Sequence, residues 1–260
     1  MAGKVVVITG ASSGMGKELA FRYAKRRAKI VIAARRLEEL EKVKAGIVQA
    51  TGNLAVLPVK CDVSDESQAE ALVEATIAEY GHLDVLVLCA GISAHSNFED
   101  FETLEPFRKV VDVNLYGCVY PTRYALPHLK MAGKGQILVL SSFSGEYGLP
   151  HRSCYSASKF AVNGFFESLR MELGDKIDIT VVSPITVDTG FRNYSLIKPK
   201  KEASESKSVV SAADAVTEIL MAADKRMEKH IFPYKSWIAV KYRYFAPKTF
   251  AGIVKKNASL

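Results

Sequence analysis

Short apolar runs alternate with longer amphipathic stretches along most of the 260-residue chain. The runs are rich in β-branched residues and have the length of buried strands, whereas the stretches between them carry helical periodicity. Strands are predicted near residues 5–9, 29–33, 55–60, 85–89, 136–140, 177–183 and 229–232. Strands and helices that alternate in this way predict a single-domain α/β fold, a doubly wound parallel sheet covered by helices on both faces.

The first predicted strand runs into a glycine-rich segment. Residues 9–16 read Thr-Gly-Ala-Ser-Ser-Gly-Met-Gly, and an amphipathic stretch continues from residue 17 to about 28. This order predicts a strand, a tight turn and a helix whose N-terminal amides can face a pyrophosphate. A glycine triplet alone is a weak signal, so it indicates a dinucleotide site only in combination with other motifs.

Tyr155 and Lys159 supply the second signal, with Ser142 upstream of both. Residues at positions i and i+4 of a helix share one face, so the Lys159 ammonium lies beside the Tyr155 phenol. A free phenol is a weak acid, and a nearby positive charge stabilises its phenolate. The pair therefore suits proton transfer, and the Ser142 hydroxyl can hold a carbonyl or alcohol oxygen.

With these motifs the chain resembles the short-chain dehydrogenase/reductase family from about residue 4 to residue 232. The other matching stretches are residues 61–63, 89–91, 114, 141–142 and 184–189. The resemblance implies a Rossmann-type sheet and a hydride-transfer reaction with a nicotinamide dinucleotide. It implies four catalytic residues, of which Asn114 interrupts its helix to hold a relay water: Asn114, Ser142, Tyr155 and Lys159.

The same resemblance implies the cofactor-binding residues. Asp62 and Val63 would flank the adenine, Ala90 and Gly91 would line the cleft, and Thr189 would bind the carboxamide. The full set is Gly10, Ser12, Ser13, Gly14, Met15, Gly16, Asp62, Val63, Ala90, Gly91, Tyr155, Lys159, Pro184, Val187 and Thr189, together with Arg35 and Arg36. Three positions depart from the family pattern without removing a catalytic atom: Met15, Cys89 and Ile185.

The end of the second predicted strand bears on cofactor choice. A carboxylate that binds the 2′-hydroxyl of NAD commonly follows the glycine turn by about 20 residues. Here that neighbourhood reads Ala33-Ala34-Arg35-Arg36. Forked guanidinium donors suit the 2′-phosphate, so Arg35 and, less strongly, Arg36 predict NADP(H). The alternative for Arg36 is a solvated position at the start of the next helix.

Cysteine spacing and the N-terminal segment predict the compartment. Cys61, Cys89, Cys118 and Cys154 lack the spacing of metal ligands or of a disulfide framework, so buried free thiols and no metal site are expected. A redox-sensitive Cys154 is the less favoured alternative. The first strand is predicted to begin within a few residues of Met1, so we expect no leader segment. We expect a cytoplasmic protein, peripheral to a membrane if its C-terminal segment binds one.

The C-terminal segment differs in charge from the remainder of the chain. Residues 229–260 contain seven basic residues and no acidic residue, and the whole chain has a net charge of +7. We divide the chain into an NADP-binding catalytic domain, residues 1–233, and a basic aromatic tail, residues 234–260, with a helix over 236–246 that ends before Pro247. Basic and aromatic residues together favour a peripheral membrane surface through residues 235–256. Contact with another subunit stays open, and nucleic acid is not expected.

The tail, with several internal stretches, is similar to family members that act on lipids and steroids, including hydroxysteroid dehydrogenases and ketosphinganine reductases. That similarity implies an apolar substrate, with Tyr147, Leu149, His151, Phe191 and Tyr194 as wall residues. The prediction is an NADPH-dependent enzyme that interconverts a ketone and a secondary alcohol. A non-catalytic NADP-binding scaffold or redox sensor is the main alternative, and an epimerase or dehydratase is a third. Apolar residues on several faces of helices 104–130 and 153–173 indicate a homodimer or homotetramer.

Overall fold

A computed structural model of the chain describes residues 1–191, 195–197 and 209–258. Its main feature is a seven-stranded sheet in the order β3-β2-β1-β4-β5-β6-β9, in which all neighbouring strands pair in parallel. The strands are β1 Val5–Thr9, β2 Lys29–Ala34, β3 Val56–Lys60, β4 Val85–Leu88, β5 Gly135–Leu140, β6 Ile177–Pro184 and β9 Lys229–Phe232. A small parallel pair joins β7 Val187–Asp188 to β8 Val210–Ser211.

Helices connect these strands and cover both faces of the sheet. They are α1 Gly14–Lys25, α2 Leu37–Thr51, α3 Glu66–Tyr80, α4 Glu105–Val111, α5 Gly117–Met131, α6 Ser153–Leu173, α7 Ala212–Asp224, α8 Tyr234–Phe245 and α9 Pro247–Ala258. Alternate residues of β1 enter opposite cores, because successive side chains of a strand point to opposite faces. Val5 and Val7 belong to one cluster of buried residues, and Val6 and Ile8 belong to the other. The predicted single-domain α/β fold with a doubly wound parallel sheet is confirmed.

The helices show the interruption that the family resemblance implies at Asn114, and the tail departs from the predictions. The stretch predicted over 104–130 is interrupted by a π-helical turn, Asp112–Tyr116, between α4 and α5. The tail contains a second helix, α9, which the sequence pattern did not predict. Its first residue is Pro247, and proline is well tolerated at the first turn of a helix, where its missing N–H costs no intrahelical bond.

The arrangement of the strands determines where a site can form. β1 and β4 are neighbours although α1, β2, α2, β3 and α3 separate them along the chain. The carboxyl ends of the parallel strands meet at one edge of the sheet, which we call the carboxyl edge, and the opposite edge is the amino edge. Ligands of open α/β sheets bind at the carboxyl edge, where the strand order reverses. Among the residues that the structure describes, no helix is long and apolar enough to cross a membrane.

Candidate active site

The glycine-rich turn between β1 and α1 is held by contacts that leave little space for side chains. Gly10 has φ +68°, and a Cβ there would lie 2.7 Å from Ala90 Cα. A Cβ on Gly16 would lie 2.4 Å from the Gly10 carbonyl oxygen. Both positions therefore require glycine, one for its backbone conformation and the other for helix–turn packing. The turn thus packs against the segment that follows β4.

The N-terminus of α1 lies within this turn. Ser13 is the N-cap residue, but its side chain makes no capping hydrogen bond, and the first turn of α1 contains no acidic residue. Gly14, with φ +54°, would bring a Cβ to 3.1 Å from Thr189 Cβ. Thr189 therefore lies at the turn although the two residues are far apart along the chain. These amides suit an anion, since the positive end of a helix dipole favours one.

The residues predicted on the adenine side of the cofactor follow the ends of β2 and β3. The Ala11 amide donates to the Ala33 carbonyl over 3.2 Å, so the turn lies beside the end of β2. Arg35 and Arg36 follow that end and are exposed. Val63, after β3, is buried against the start of α5, and Asp62 accepts hydrogen bonds from the Ser64 amide and hydroxyl.

Tyr155 and Lys159 lie together on α6, as their spacing predicts. Tyr155 is 7% exposed and Lys159 is 4% exposed, and Lys159 Nζ lies 5.9 Å from the centre of the Tyr155 ring. Lys159 Nζ also donates to the Leu140 carbonyl over 2.9 Å. Burial of an ammonium costs free energy unless polar partners surround it, and the Leu140 carbonyl is such a partner. The Phe191 ring lies 6.1 Å from the Tyr155 ring, centre to centre.

Ser142 begins a short turn directly after β5. Its Oγ accepts a hydrogen bond from the Ser144 amide over 3.1 Å, and the side chain is half-buried. Because β5 and β6 are neighbouring parallel strands, Ser142 and Pro184 lie where these strands end, at the same edge. Among the predicted wall residues, Tyr147 and Leu149 are half-buried and His151 is exposed, whereas Tyr194 lies outside the described residues.

Asn114 occupies the middle of the π-helical turn, and such turns are frequent at functional sites. Its Oδ1 accepts from the Ile92 amide over 2.8 Å, and its Nδ2 donates to the Ile92 carbonyl and to Ser158 Oγ. A Cβ on Gly91 would lie 3.2 Å from Asn114 Oδ1 and 3.9 Å from Lys159 Nζ. The predicted helix interruption, the segment after β4 and Lys159 therefore converge.

The four thiols are all free, and three of them are fully buried while Cys89 is half-buried. Burial raises the pKa of Cys89 to about 12, an effect that nearby Lys159 partly offsets. Burial likewise raises the pKa of Cys154. Thiols that stay protonated are poor nucleophiles, which favours a packing role for Cys154 over a redox role.

Sequence reasoning missed a polar cluster behind Ser142. Ser141 Oγ donates to Asn163 Oδ1 over 2.6 Å, and Asn163 Nδ2 donates to Glu146 Oε1 over 2.9 Å. Glu146 is 7% exposed and also pairs with Lys229. Asn163 follows Lys159 by one helical turn, a spacing that could have indicated a shared face. Glu146 carries no comparable signal, because its partners come from distant elements.

Comparisons with known proteins agree with this geometry. The family model described as short chain dehydrogenase matches residues 4–199. The chain belongs to the short-chain dehydrogenase family. This finding confirms the resemblance carried by the glycine turn and the Tyr155–Lys159 pair.

Plant hydroxysteroid dehydrogenases are among the similar curated proteins. The chain is 44% identical to "11-beta-hydroxysteroid dehydrogenase" of Pinus massoniana over 184 residues, covering 71% of this chain and 51% of that protein. It is 37% identical to "11-beta-hydroxysteroid dehydrogenase-like 4A" of Arabidopsis thaliana over 240 residues, covering 92% of this chain and 79% of that protein. The chain thus spans about half the length of the pine relative and more of the Arabidopsis one.

Solved structures share the fold. An alcohol dehydrogenase from the archaeon Thermococcus sibiricus, complexed with 5-hydroxy-NADP, has a TM-score of 0.78 at 27% identity and covers 88% of this chain and 95% of its own. Levodione reductase has a TM-score of 0.81 at 29% identity and covers 90% of this chain and 96% of its own. A dehydrogenase from Burkholderia phymatum in complex with NAD has a TM-score of 0.85 at 24% identity, covers 95% of each chain, and supports the fold alone.

Proposed function

We propose that the chain is an NADP(H)-dependent oxidoreductase that interconverts a ketone and a secondary alcohol on an apolar substrate. The observation that carries this proposal is the burial of Tyr155 and Lys159 together, at the same edge of the sheet as the glycine turn. A non-catalytic dinucleotide-binding protein has no chemical need for a buried ammonium beside a phenol. The uncapped N-terminus of α1 and the close packing of Gly10 and Gly16 fit a dinucleotide pyrophosphate.

In this proposal each catalytic side chain has a distinct task. When bound, the reduced nicotinamide supplies a hydride to the carbonyl carbon. Tyr155 donates its phenolic proton to the carbonyl oxygen, and Ser142 Oγ orients that oxygen by a hydrogen bond. Lys159 stabilises the phenolate that remains and would contact the ribose of a bound cofactor. Asn114, from its π-helical turn, holds the water through which Tyr155 regains a proton.

Cofactor choice rests on the two arginines at the end of β2. Both are exposed beside the turn, where a 2′-phosphate would lie, and the strand end carries no carboxylate. Arg35 would bind the phosphate and Arg36 would add a weaker contact. Asp62, Val63, Ala90, Gly91, Pro184, Val187 and Thr189 would complete the cofactor site. The 5-hydroxy-NADP named for the Thermococcus enzyme is consistent with NADP in this family.

An apolar substrate is supported by the aromatic surroundings of Tyr155 and by the names of the plant relatives. Phe191 lies against the catalytic ring, and Tyr147 packs edge-to-face on Phe250 with 4.5 Å between ring centres. The plant relatives are named as hydroxysteroid dehydrogenases. A panel of ketones, keto-lipids and steroids, followed by NADPH absorbance, tests this assignment. Absence of turnover across the panel, with and without lipid vesicles, would contradict it.

The tail adds a proposed membrane contact that supplies such a substrate. α8 places an apolar stripe on its exposed side, with Trp237 41%, Ile238 46% and Phe245 86% exposed. The opposite side of α8 carries the buried Ser236 and Val240. Lysine side chains next to the stripe, including Lys241 5.8 Å from the Trp237 ring, complement anionic headgroups. A homo-oligomer that uses this face is the competing arrangement, and vesicle co-sedimentation with light scattering distinguishes the two.

A further inference from the structure

The Glu146 carboxylate is buried at a junction of four elements. Asn163 Nδ2 donates to its Oε1 over 2.9 Å, and Ser183 Oγ donates to the same oxygen over 2.8 Å. Lys229 Nζ lies 2.7 Å from the other oxygen, Oε2. Glu146 itself is 7% exposed. A buried carboxylate is tolerated when each oxygen has a partner, and here both oxygens do.

The partners of Glu146 belong to separate parts of the candidate active site. Asn163 follows Lys159 by one turn of α6, so it shares the helix that carries the proton-transfer pair. Ser183 precedes Pro184, the first residue of the family-like stretch 184–189 that is predicted to bind the cofactor. Glu146 itself follows Ser142 by four residues. One side chain therefore connects the Ser142 turn, the Tyr155–Lys159 helix and the end of β6.

The turn between Ser142 and Glu146 packs tightly against α6. A Cβ on Gly145 would lie 2.8 Å from the Lys159 carbonyl oxygen and 3.0 Å from Asn163 Nδ2. Asn163 Nδ2 also donates to the Gly145 carbonyl over 3.0 Å. Because the contact leaves so little free space, movement of the Glu146 anchor would shift this turn relative to Lys159.

The tail also contacts this turn. Arg243 of α8 donates to the Glu146 backbone carbonyl, and its guanidinium lies 5.7 Å from the centre of the Tyr147 ring. Phe250 of α9 is buried, and its ring packs edge-to-face on the Tyr147 ring. The loop after Ser142 thus has contacts through the Glu146 side chain and with α8 and α9.

We propose that Glu146 is a positioning residue, which fixes Ser142 relative to Tyr155 through Asn163 and Ser183 and is itself held by Lys229. The proposal rests on the proposed function, because it assigns Glu146 an effect on the orientation of the substrate oxygen. The competing explanation is a purely structural role, in which Glu146 stabilises the fold and affects activity only through stability.

Asp84 provides a matched control for that explanation. It is 4% exposed, its Oδ1 lies 2.7 Å from Lys4 Nζ, and its Oδ2 accepts from the Val5 amide over 2.8 Å. Like Glu146, it is a buried carboxylate paired with a partly exposed lysine. It lies at the amino edge of the sheet, away from every residue of the candidate site.

A double-mutant cycle with Ser142→Ala separates the two explanations. Glu146→Ala should lower kcat by about 10- to 100-fold, the scale expected from a misplaced catalytic group. In the Ser142→Ala background the same change should lower kcat by less than about twofold, because the Ser142 hydroxyl that Glu146 would position is already absent. Asp84→Ala should leave kcat unchanged at a temperature where the variant is folded. If Glu146→Ala lowers kcat by the same factor in wild type and in Ser142→Ala, the proposal is overturned.

Two further variants keep the test conclusive. Glu146→Gln combined with Lys229→Met retains an acceptor for Asn163 and Ser183, so it should recover most of the kcat lost in Glu146→Ala. If Glu146→Ala does not fold, Ser183→Ala removes one hydrogen bond to the carboxylate and should show the same dependence on Ser142 with a smaller loss. A Ser183→Ala loss that is independent of Ser142 would count against positioning.

Hydrogen exchange provides a readout that does not need turnover. Amides of residues 143–149 should exchange at least about tenfold faster in Glu146→Ala than in wild type, and Asp84→Ala should not alter them. Unchanged exchange in that loop would overturn the proposal even if activity falls. If the wild type reduces no substrate of the panel, the proposed function fails, and this exchange measurement alone decides whether Glu146 holds the Ser142 turn.

Discussion

The two edges of the sheet each contain a buried carboxylate paired with a lysine. At the amino edge, Asp84 connects the start of β4 to the Val5 amide and to Lys4. At the carboxyl edge, Glu146 connects the Ser142 turn to α6, β6 and Lys229. The electrostatic requirement is the same, because each buried charge needs partners. What differs is the connection: Asp84 joins two strands, whereas Glu146 joins segments that carry the candidate catalytic residues.

The difference indicates that burial and pairing alone do not identify a functional carboxylate. The elements that it connects are informative, since parallel strands of an open α/β sheet bring their ligand-binding loops to the carboxyl edge. We therefore expect substitutions at the carboxyl edge to alter activity and those at the amino edge to alter stability.

The strongest test of that expectation is Tyr155→Phe. The ring and its packing remain, but the transferable proton is lost, so the rate should fall by about 10²- to 10⁴-fold. NADPH affinity, measured by fluorescence titration, should stay within about twofold. Tyr23→Phe is the matched control, because Tyr23 is also buried but lies on α1 away from Tyr155. Near-normal turnover of Tyr155→Phe would exclude the assigned acid.

Cofactor preference should respond to Arg35→Asp. Hydrogen bonds to charged groups contribute about 1.5–3 kcal/mol, which corresponds to about 10- to 150-fold in affinity. The ratio of kcat/KM for NADPH to that for NADH should fall by this amount, and Arg36→Ala should lower it less. A wild type that prefers NADH at equal concentrations would contradict the arginine interpretation.

The tail should bind anionic vesicles. Each basic residue near an anionic surface contributes about 1 kcal/mol, so three engaged residues would give about 3 kcal/mol at low salt. Trp237→Ser with Phe245→Ser should weaken co-sedimentation while leaving Arg243 and Phe250 in place. Met171→Ser, at a 77% exposed position on α6, is the matched control for the loss of exposed apolar surface.

Truncation near Pro233 is a cruder test of the tail, because it also removes the buried Phe250 and the Arg243 hydrogen bond to Glu146. Salt should weaken vesicle binding if the contact is electrostatic. If the stripe variant sediments with vesicles like wild type, the membrane proposal is wrong. If it instead loses an oligomer in light scattering, α8 contacts another subunit.

Asp84→Ala should reduce stability by about 1–3 kcal/mol, because the Val5 amide would lose its acceptor inside the fold. Urea denaturation would measure the loss, and kcat at low denaturant should match wild type. A large fall in kcat without a fall in stability would break the distinction between the two edges.

The smallest expected effect concerns Cys118, which lies behind Asn114 and donates its thiol to that residue's carbonyl. Burial raises the pKa of Cys118 from 9.0 to about 11, and Lys159 lowers it slightly. The thiol of the unfolded chain therefore ionises at a lower pH than the thiol of the folded protein. The contribution of the protonated thiol to the free energy of unfolding is complete below about pH 9 and is lost as the pH rises through about 11. At pH 10 the cost is about 1 kcal/mol.

Urea midpoints at pH 8 and pH 10 would measure this dependence. Cys118→Ala should show a smaller decrease in stability between the two pH values than wild type. Equal decreases in stability in both proteins would mean that water reaches the interior next to Asn114 more than its burial indicates.

Local sequence determined the strands and much of the site. The seven main strands lie within a residue or two of their predicted bounds, because most of them are short runs of apolar, often β-branched residues. The glycine turn and the Tyr155–Lys159 pair could be predicted from the sequence, because the residues of each lie close together along the chain.

Tertiary structure alone decided what depends on distant partners. Thr189 reaches Gly14, Arg243 reaches the Glu146 carbonyl, and α9 packs Phe250 on Tyr147. No local period encodes these contacts, because they result from the strand order and from where the tail returns. Glu146 is the clearest case: its neighbours in sequence resemble any surface turn, and only the meeting of α6, β6 and β9 makes it a buried, fully partnered carboxylate.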